Sequence, residues 1–469
     1  MNLVWLRTDL RLFDNPALYL ACQTGQGTRV VYCATPQQWQ EHHEAPAKLG
    51  LRSQLLTNIQ QRLHQLGISF EVIRADRFND LPELIFEYCQ KHQISDLWFN
   101  SEIPHNERLR DQQITQHLHT ADIVCHPCEN EFIVPQAQLR TQQGGVYKVF
   151  TPWYRLWLNR LAQHPVELFP EPAAQGAPIA SPTHPIELPG SDTYRHDLWP
   201  GTESAAFECL QKFCNERLHH YIERRDFPGI HGTSILSPYL ASGAISPRHC
   251  VQLIQETHAH YGTDWLEDPW LRELAWREFY RYLMLNFPSL SRDQPFKPET
   301  RFLLWEDNAQ LVEAWKLGKT GFPIIDAAMR QLHQTGWMHN RLRMLTASFF
   351  TKLLLEDWHI GESYFMSQLI DGDFPSNNGG WQWSASTGCD ASPWFRVFNP
   401  VRQSEKFDSD GSFIRKFVPE LGELDSKSIH NPPEKLRKCL GYPQPIIDYK
   451  DARERVLTRF ENLKAMNLT

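Results

Sequence analysis

The chain has 469 residues, 41% hydrophobic and 22% charged, and a formal net charge of −8. A chain of this length exceeds the size at which one core usually keeps growing, so we expect at least two domains. No apolar run approaches the roughly 18 residues of a membrane span, and residues Met1–Asp9 do not resemble a secretory signal, so we expect a soluble, cytoplasmic protein. The acidic balance argues against a broadly basic surface, and any nucleic-acid contact must come from a local patch.

The first part of the chain alternates short β-rich apolar runs with segments of helical periodicity. This alternation is typical of a parallel sheet covered by helices on both faces. We therefore predict an α/β N-terminal domain, residues 1–130, with a five-stranded parallel doubly wound sheet. The predicted strands are Leu3–Leu6, Arg29–Ala34, Ser69–Arg74, Asp96–Asn100 and Asp122–Cys128, and the predicted helices are Pro16–Gln23, Ala47–Leu66, Leu81–His92 and Glu107–His119. No Gly-x-Gly-x-x-Gly follows the first strand, so the dinucleotide fingerprint of a dehydrogenase is missing.

Residues 131–200 are predicted to be a linker that wraps between domains. From Pro165 to Pro200 prolines are dense and periodicity disappears. Beyond it, residues 201–469 are predicted to form a mostly α-helical domain. Its predicted helices are Glu203–Leu218, Pro247–His260, Pro269–Asn286, Asn308–Leu317, Pro323–Gln334, Asn340–Trp358 and Asp448–Lys464.

The ten cysteines and 21 histidines are scattered along the chain. Only Cys125 and Cys128 have a paired spacing, no second CxxC completes a zinc site, and Cys125 closes an apolar run that is typical of a buried strand. His-Glu-x-x-His does not occur. We predict no metal.

The stretch Asp371–Arg396 combines polar ligand-type groups with large aromatic surfaces. Its glycines allow the backbone to approach a ligand, and its tryptophans offer flat apolar faces that suit a bound aromatic cofactor. The alternative is a Gly-rich loop whose tryptophans fill the core. Nothing within the stretch decides between the two.

Two further segments carry candidate functional groups. On the helix that begins at Pro269, an acidic residue, a basic residue and several aromatic residues share one broad face, and the helix from Asn340 has a polar tip. Between Tyr221 and Ser237, hydroxyl side chains precede a Ser-Pro helix start, which suits a pyrophosphate or is an ordinary N-cap. The residues on the two helices are Trp270, Glu273, Trp276, Arg277 and Tyr280, and Asn340, Arg341, Arg343 and Met344.

In combination these motifs resemble one family, the photolyase/cryptochrome flavoproteins, and most of all its bacterial class I members. The resemblance covers most of the chain and is weakest in the linker and after Arg415. It implies FAD, reduced and anionic in the active form, an antenna pigment and light-driven repair of cyclobutane pyrimidine dimers. The segments that carry it are Trp5–Asn15, Thr320–Arg330, Trp337–Met344, Ser348–Trp358 and Asp371–Asn399.

The resemblance also implies roles for individual residues at the cofactors. Arg343 is expected to pair with Asp371 beside the flavin ring, and Asn377 to face flavin N5 as an uncharged hydrogen-bonding group. Asn106 and Glu107 match the positions that bind 5,10-methenyltetrahydrofolate as antenna. The expected FAD contacts are Tyr221, Thr233, Ser234, Ile235, Leu236, Ser237, Arg343, Asp371, Asp373 and Asn377.

For the lesion, the resemblance places Glu273, Asn340 and Met344 in the dimer pocket, with Trp276 and Trp383 as its apolar walls. A flipped-out dimer loses stacking that aromatic walls partly replace, and hydrogen bonds to the bases favour negative charge arriving on them. The phosphates flanking the dimer are expected to contact Arg225, Arg277, Arg341 and Gln403, independently of DNA sequence. A tryptophan relay of Trp381, Trp358 and Trp305 is expected to reduce oxidised flavin.

The site residues that the resemblance implies bear on three possible functions. A monomeric repair enzyme for cyclobutane dimers is favoured by Asn377, Glu273 and the two tryptophan walls. The alternative is a cryptochrome-type blue-light receptor with little or no repair activity. The third function, repair of (6-4) photoproducts, would require histidine acids in the pocket, whereas Asn340 and Met344 occupy the expected positions. Departures from the family pattern occur at Phe374–Ser376, His359 and Ile235, and leave flavin-loop geometry open.

Overall fold

The computed structural model describes residues 1–191 and 194–466, which fall into two compact units. The first unit comprises Met1–Leu218, Ser234–Ser291 and Ile370–Pro375, and the second comprises His219–Thr233, Arg292–Leu369 and Ser376–Thr469. Each unit thus combines segments that are distant in the chain. The linear domain boundaries at residues 130 and 200 stay a prediction.

The first unit contains the predicted five-stranded parallel sheet. The strands are β1 (Asn2–Leu6), β2 (Thr28–Ala34), β3 (Ser69–Arg74), β4 (Asp96–Asn100) and β5 (Val124–Cys128), in the order β3-β2-β1-β4-β5. All four pairings are parallel. The order reverses next to β1, as in other doubly wound sheets. This fold class is confirmed, although β5 begins two residues late because Asp122 takes a left-handed φ of 57°.

Helices surround this sheet and complete the first unit. Each of the four helices predicted between the strands is present, with bounds shifted by at most two residues. Cys125 and Cys128 are free thiols on β5, and burial raises the pKa of both, to about 11 for Cys128. The α-helices are Pro16–Gln23, Pro36–Glu41, Pro46–Gln65, Leu81–His92, His105–His119, Phe150–Gln163, Glu203–Glu216, Ser237–Ser242, Pro247–Tyr261 and Pro269–Asn286.

The turn after β1 is held by a buried ion-pair network. Asp14 is fully buried and accepts hydrogen bonds from Arg248 Nε at 3.0 Å and from the Phe169 backbone N–H at 3.2 Å. The Arg11 guanidinium donates to the Asp14 carbonyl at 2.7 Å and to the Gly243 carbonyl at 3.0 Å. This part of the N-terminal signature is therefore a structural junction.

The second unit packs helices around an apolar core that includes Trp315, Ile325, Phe350 and Phe413. Asp326 is fully buried below this core and accepts from the Thr320 backbone N–H at 2.7 Å and the Gly321 backbone N–H at 3.0 Å. The helices are Tyr221–Arg224, Ala309–Lys316, Pro323–Thr335, Asn340–Ser348, Trp358–Gln368, Pro400–Phe407, Ser412–Phe417, Glu434–Leu440 and Tyr449–Met466, and helix Phe374–Ala385 begins in the last segment of the first unit and continues into the second.

Three stretches differ locally from what the sequence pattern indicates. The helix predicted over Asn340–Trp358 ends at Ser348, continues as π-helix Phe349–Leu354 and stops at Leu355, whose φ is 63°. Helix Phe150–Gln163 lies inside the predicted linker, where Trp153 and Trp157 are fully buried. The Gly-rich stretch after Asp373, for which no helix was predicted and a loop was one alternative, forms helix Phe374–Ala385.

Among residues 1–191 and 194–466, no helix is both long and apolar enough to cross a membrane. No group of three or more His, Cys, Asp or Glu side chains is arranged to hold a metal ion in that part of the chain.

Candidate functional site

Helix Phe374–Ala385 presents Asn377 and Asn378 to the neighbouring helix Trp358–Gln368. The Asn377 amide nitrogen donates to the Glu362 carbonyl at 3.0 Å, and the Asn378 amide nitrogen donates to the Glu362 carboxylate at 2.8 Å. Because the Asn377 nitrogen is engaged with a protein carbonyl, its amide oxygen is the atom oriented to accept a hydrogen bond from a ligand. This orientation suits a flavin N–H.

Glu362 is the buried partner of both asparagines. Burial raises the pKa of Glu362 to about 7, and the hydrogen bond from Asn378 opposes part of that rise. Asn378 in turn accepts from Gln382 Nε2 at 3.0 Å, one turn further along helix Phe374–Ala385. The amide of Asn377 is thus held by a packed polar network.

Packing of the same two helices depends on one glycine. A Cβ added at Gly361 would lie 2.1 Å from Cη2 of Trp381, so only glycine lets the indole approach this helix. At Gly380 a Cβ would meet no described atom within 4 Å. Open space beside Asn377 is compatible with a flat ligand on this side of helix Phe374–Ala385.

Asp373 is engaged with a buried arginine of the same unit. Its carboxylate accepts from Arg281 at 2.6 and 3.1 Å, and Arg281 also donates to Glu131 at 2.6 Å. Arg277 lies one turn earlier on helix Pro269–Asn286, 3.7 Å from Glu131. Burial and the neighbouring Arg281 lower the pKa of Arg277 to about 10. Arg277, predicted to bind phosphate, is thus mostly buried and faces an acidic partner.

The turn before helix Ser237–Ser242 has the backbone of an anion-binding nest. Ile235 has a φ of 58°, which is rare for a β-branched residue, and the following Leu236 is right-handed at φ −87° and ψ −8°. Successive left- and right-handed residues direct their N–H groups into one concavity, which binds anions such as phosphates. The left-handed Ile235 favours anion binding at this turn, and the FAD contact there stays a prediction.

The helix that carries Glu273 positions one of the predicted lesion walls. Phe150 stacks on Trp276 with ring centroids 3.6 Å apart and an interplanar angle of 6°. Trp276 and Glu273 are both partly exposed, one turn apart on the same helix. The stacking supports one face of the indole and so fixes the plane of the wall.

Helix Asn340–Ser348 begins with a histidine cap. His339 is buried, and burial lowers the pKa of its imidazole to about 4, so the ring is neutral and its Nδ1 accepts from the Arg341 backbone N–H at 3.2 Å. Asn340 is exposed at the first helical position, and Met344 lies one turn later, partly exposed. Arg343 Nε donates to the Met338 carbonyl at 2.8 Å.

The two remaining arginines predicted to bind phosphate lie near this helix start. Arg341 pairs with Asp226 at 2.7 Å and covers the Phe407 ring at 4.6 Å, and Arg225 covers the ring of the predicted FAD contact Tyr221 at 5.7 Å. Gln403 is partly exposed on helix Pro400–Phe407. Each arginine is thus oriented by an aromatic ring.

The three tryptophans of the predicted relay belong to one apolar cluster. Trp381 and Trp358 are 2% and 1% exposed, and Trp305 is partly buried and packs against the same cluster. Trp383 is partly exposed on helix Phe374–Ala385, and Trp394 stacks on Phe460. Trp305 is the most exposed of the three, which favours the predicted path from the core towards the surface.

The predicted antenna residues share a histidine partner. His42 Nε2 lies 3.0 Å from the Asn106 amide nitrogen, and His42 Nδ1 lies 3.5 Å from the Glu107 carboxylate. Burial raises the pKa of Glu107. Sequence reasoning missed His42, because 64 residues separate it from Asn106.

Known proteins share this architecture over the whole chain. Residues 2–173 match the model for DNA photolyase, and residues 270–462 match the model for the FAD binding domain of DNA photolyase. Deoxyribodipyrimidine photo-lyases of Salmonella typhimurium and Escherichia coli are 43% and 42% identical, and each alignment covers 98% of both chains. The chain belongs to the DNA photolyase family.

Solved structures of the family have the same fold. A bacterial class III photolyase from Agrobacterium tumefaciens has a TM-score of 0.85 at 33% identity, covering 99% of this chain and 98% of that one. A cryptochrome from Synechocystis has a TM-score of 0.84 at 26% identity, covering 98% of each chain. This photolyase-family chain binds FAD through its helical part, and its N-terminal part is of the type that takes a folate antenna.

Several site partners could not be found from sequence patterns. Glu362 and Asn378 are 16 residues apart and meet only because Phe374–Ala385 is a helix. Phe150 lies in a stretch interpreted as linker, and Asp226 is 115 residues from Arg341. An acidic residue directly after Arg225 was the one available signal for the last pair.

The buried Glu362 generates a prediction on stability and pH. The pKa of Glu362 is about 7 in the folded state, above the ordinary value of 4.5, so between pH 4.5 and 7 the folded state binds more protons than the unfolded state. The free energy of unfolding therefore falls as pH rises through this range. The Glu362→Gln variant keeps an acceptor for Asn378 and removes the ionisation. We expect it to match the parent at pH 4.5 and to exceed it at pH 8 by up to about 3 kcal/mol.

Urea unfolding at the two pH values measures this difference. Glu87→Gln, at an exposed position of helix Leu81–His92, is the matched control and should leave the stability unchanged at both. Equal stability of the Glu362→Gln variant and the parent at pH 8 would contradict a raised pKa.

Proposed function

We propose that this photolyase-family protein is a deoxyribodipyrimidine photo-lyase that splits cyclobutane pyrimidine dimers in light. The observation that carries the proposal is the 41–43% identity to deoxyribodipyrimidine photo-lyases of three bacteria, over 98–99% of the chain. A cryptochrome function is not favoured, because the cryptochrome of similar fold is only 26% identical.

Different residues of the chain are proposed to contact different parts of FAD. We propose that the turn Thr233–Ser237 holds the pyrophosphate through backbone N–H groups, supported by the nest at Ile235 and Leu236. Tyr221, Arg343, Asp371 and Asp373 complete the proposed cofactor contacts. Asn377, oriented through Glu362, accepts from flavin N5 without adding an acid. When bound and reduced, FAD supplies the electron that light drives to the dimer.

We propose that residues from three helices bind the flipped-out dimer. Trp276, supported by Phe150, and Trp383 provide flat apolar walls that replace the lost stacking. Glu273 and Asn340 are proposed to hydrogen-bond the pyrimidine edges, and Met344 to contact the bases. Asn340 stands at a helix N-terminus, whose partial positive charge favours the negative charge that arrives on the bases.

DNA around the lesion is held without regard to sequence. We propose phosphate contacts from Arg225, Arg277, Arg341 and Gln403. A monomeric, cytoplasmic enzyme with 5,10-methenyltetrahydrofolate at Asn106 and Glu107 completes the proposal. The orientation of both antenna residues by His42 supports that assignment.

The proposal is tested with purified, chemically reduced protein and DNA that contains cyclobutane dimers. We expect near-UV or blue light to restore intact pyrimidines, measured as dimer loss by chromatography. The same mixture kept in the dark is the control. If illuminated samples lose no more dimer than dark ones, the chain is not a repair enzyme.

A second prediction concerns Glu273. Removing a hydrogen bond to a buried polar edge costs about 1.5 kcal/mol or more, so Glu273→Ala should weaken binding of dimer-containing DNA about tenfold. FAD absorbance should be unchanged. Glu267→Ala, at an exposed position just before the same helix, should bind like the parent. Equal affinities of the Glu273→Ala variant and the parent would remove Glu273 from the dimer pocket.

The relay gives a third prediction. Phenylalanine is much harder to oxidise than tryptophan, so Trp305→Phe should block photoreduction of oxidised FAD while leaving repair by chemically reduced protein intact. Absorbance of the flavin under illumination measures the first, and dimer loss the second. Trp394→Phe, which changes a packing tryptophan, should photoreduce normally. Full photoreduction in the Trp305→Phe variant would refute the relay.

A further inference from the structure

The middle tryptophan of the proposed relay is stacked on a histidine. The ring centroids of Trp358 and His359 are 3.8 Å apart, with an interplanar angle of 31°. Trp358 is buried, whereas the His359 side chain is 33% exposed. A titratable ring that water can reach thus contacts a buried indole that is expected to be oxidised.

Both ring nitrogens of His359 face hydrogen-bond acceptors. Nδ1 lies 2.7 Å from the Asp357 carboxylate, and Nε2 lies 3.1 Å from the Asp293 backbone carbonyl. A neutral imidazole has one N–H and can donate to only one of these two oxygens, whereas the imidazolium donates to both. The geometry therefore stabilises the protonated form of His359.

The charged groups around His359 favour the same form. Burial lowers the pKa of His359, but the hydrogen bond to Asp357 and the negative charges of Asp357 and Glu362 outweigh burial, so this pKa is raised above its ordinary value of 6.5. Asp357 and Glu362 act from the helix that carries His359 and from its cap, and Asp293 comes from 66 residues earlier in the chain. His359 is therefore protonated below its raised pKa and neutral in alkaline solution.

Loss of this proton changes the charge beside Trp358. When His359 is protonated, its charge cancels that of Asp357, and the imidazolium in contact with the indole opposes oxidation of Trp358. When His359 is neutral, the Asp357 carboxylate remains and favours a positive charge on the indole. Trp305 is partly exposed and is one step further along the proposed relay, so water weakens the same effect there.

We propose that the protonation state of His359 determines how the positive charge divides between Trp358 and Trp305 in the relay. The inference rests on the proposed relay and adds His359 to it. One electron passes from Trp358 to oxidised Trp381, and one electron passes from Trp305 to oxidised Trp358, which leaves Trp305 one electron short. After a light flash without added reductant, the electron returns along the same path and no net oxidation remains.

The rate of this return measures how the charge divides. Trp358 precedes Trp305 in the proposed relay, so the electron returns faster in molecules whose oxidised ring is Trp358. Transient absorbance of the FAD-loaded protein follows the return after a flash. We expect the return rate to increase about tenfold from about pH 6 to about pH 9, because a unit charge at contact distance is removed.

Two substitutions fix the charge at this position. His359→Gln cannot become positive, so it should return the electron at the parent's alkaline rate at both pH values. His359→Arg stays positive and should return it at the parent's acidic rate at both. His119→Gln, at an exposed position in the last turn of helix His105–His119, is the matched control and should keep the parent's pH dependence.

Histidine NMR in the dark gives a readout that involves no electron transfer. The signal that disappears in His359→Gln belongs to His359, and its titration midpoint in the parent should lie above 6.5. Asp357→Asn keeps a side chain that can cap the helix and removes the carboxylate. It should lower the midpoint of the NMR titration and the midpoint of the return rate together.

Two results would overturn the proposal. One is a return rate in the parent that does not change with pH. The other is a His359→Gln variant that keeps the parent's pH dependence, which would assign the effect to Glu362.

Failure of the relay itself is seen in a different variant. If Trp358→Phe formed the same long-lived charge separation as the parent, the relay would be wrong and the role of His359 with it. Dimer repair by chemically reduced protein does not use the relay and should be equal in His359→Gln and the parent.

Discussion

The buried carboxylate of Asp14 is the constraint on which the first unit depends. It is fully buried, so its charge must be neutralised, and Arg248 with the Phe169 backbone N–H does this at 2.9 to 3.2 Å. Removing one partner of such a pair typically costs about 3–5 kcal/mol, because the remaining charge stays buried. The turn after β1 and helix Pro247–Tyr261 are therefore joined as one rigid element.

This junction also determines where the proposed cofactor turn stands. Leu10 donates its backbone N–H to the Ser242 carbonyl at 3.2 Å, and Arg11 bonds the Gly243 carbonyl at 3.0 Å. A Cβ at Gly243 would lie 2.0 Å from the Thr8 carbonyl oxygen, so the two backbones meet there at the closest distance glycine allows. Helix Ser237–Ser242 ends at this contact, and the nest at Ile235 precedes its start. The N-terminal signature thus fixes the end of the helix that follows the strained turn. A strained backbone persists where surrounding contacts hold it in this way.

Much of the fold could be predicted because it depends on short-range patterns. The five strands are apolar runs bounded by turns. Helix Pro269–Asn286 begins where an acidic residue precedes proline in the sequence, and Asp268 accepts from the Trp270 N–H at 2.7 Å. Helix Phe374–Ala385 was missed because Pro375, Gly379 and Gly380 have low helix propensity, and packing of Trp381 against Gly361 overrides it. The π-helix Phe349–Leu354, inside the helix predicted over Asn340–Trp358, has no sequence signal of this kind.

Resemblance to a family proposes the site residues, whereas their contacts are visible only in the structure. Asn377, Trp276 and Arg341 are proposed in this way. Their partners Glu362, Phe150 and Asp226 come from distant parts of the chain. Such partners depend on the register in which helices pack, and single-sequence periodicity does not determine that register. Predicting the orienting residues therefore requires the structure even where the family is evident.

The charges of the proposed DNA contacts also depend on partners from distant parts of the chain. In a chain of net charge −8, an unpaired arginine cluster would be needed to attract DNA at long range. Arg341 is instead paired with Asp226 and laid on Phe407, which orders its guanidinium before DNA arrives. An arginine that is already ordered pays a smaller entropic cost when it contacts a phosphate. Its attraction for DNA is weaker, because an arginine neutralised by a carboxylate releases fewer counterions from DNA. The arrangement favours recognition by shape and by the flipped base over non-specific hold on the duplex.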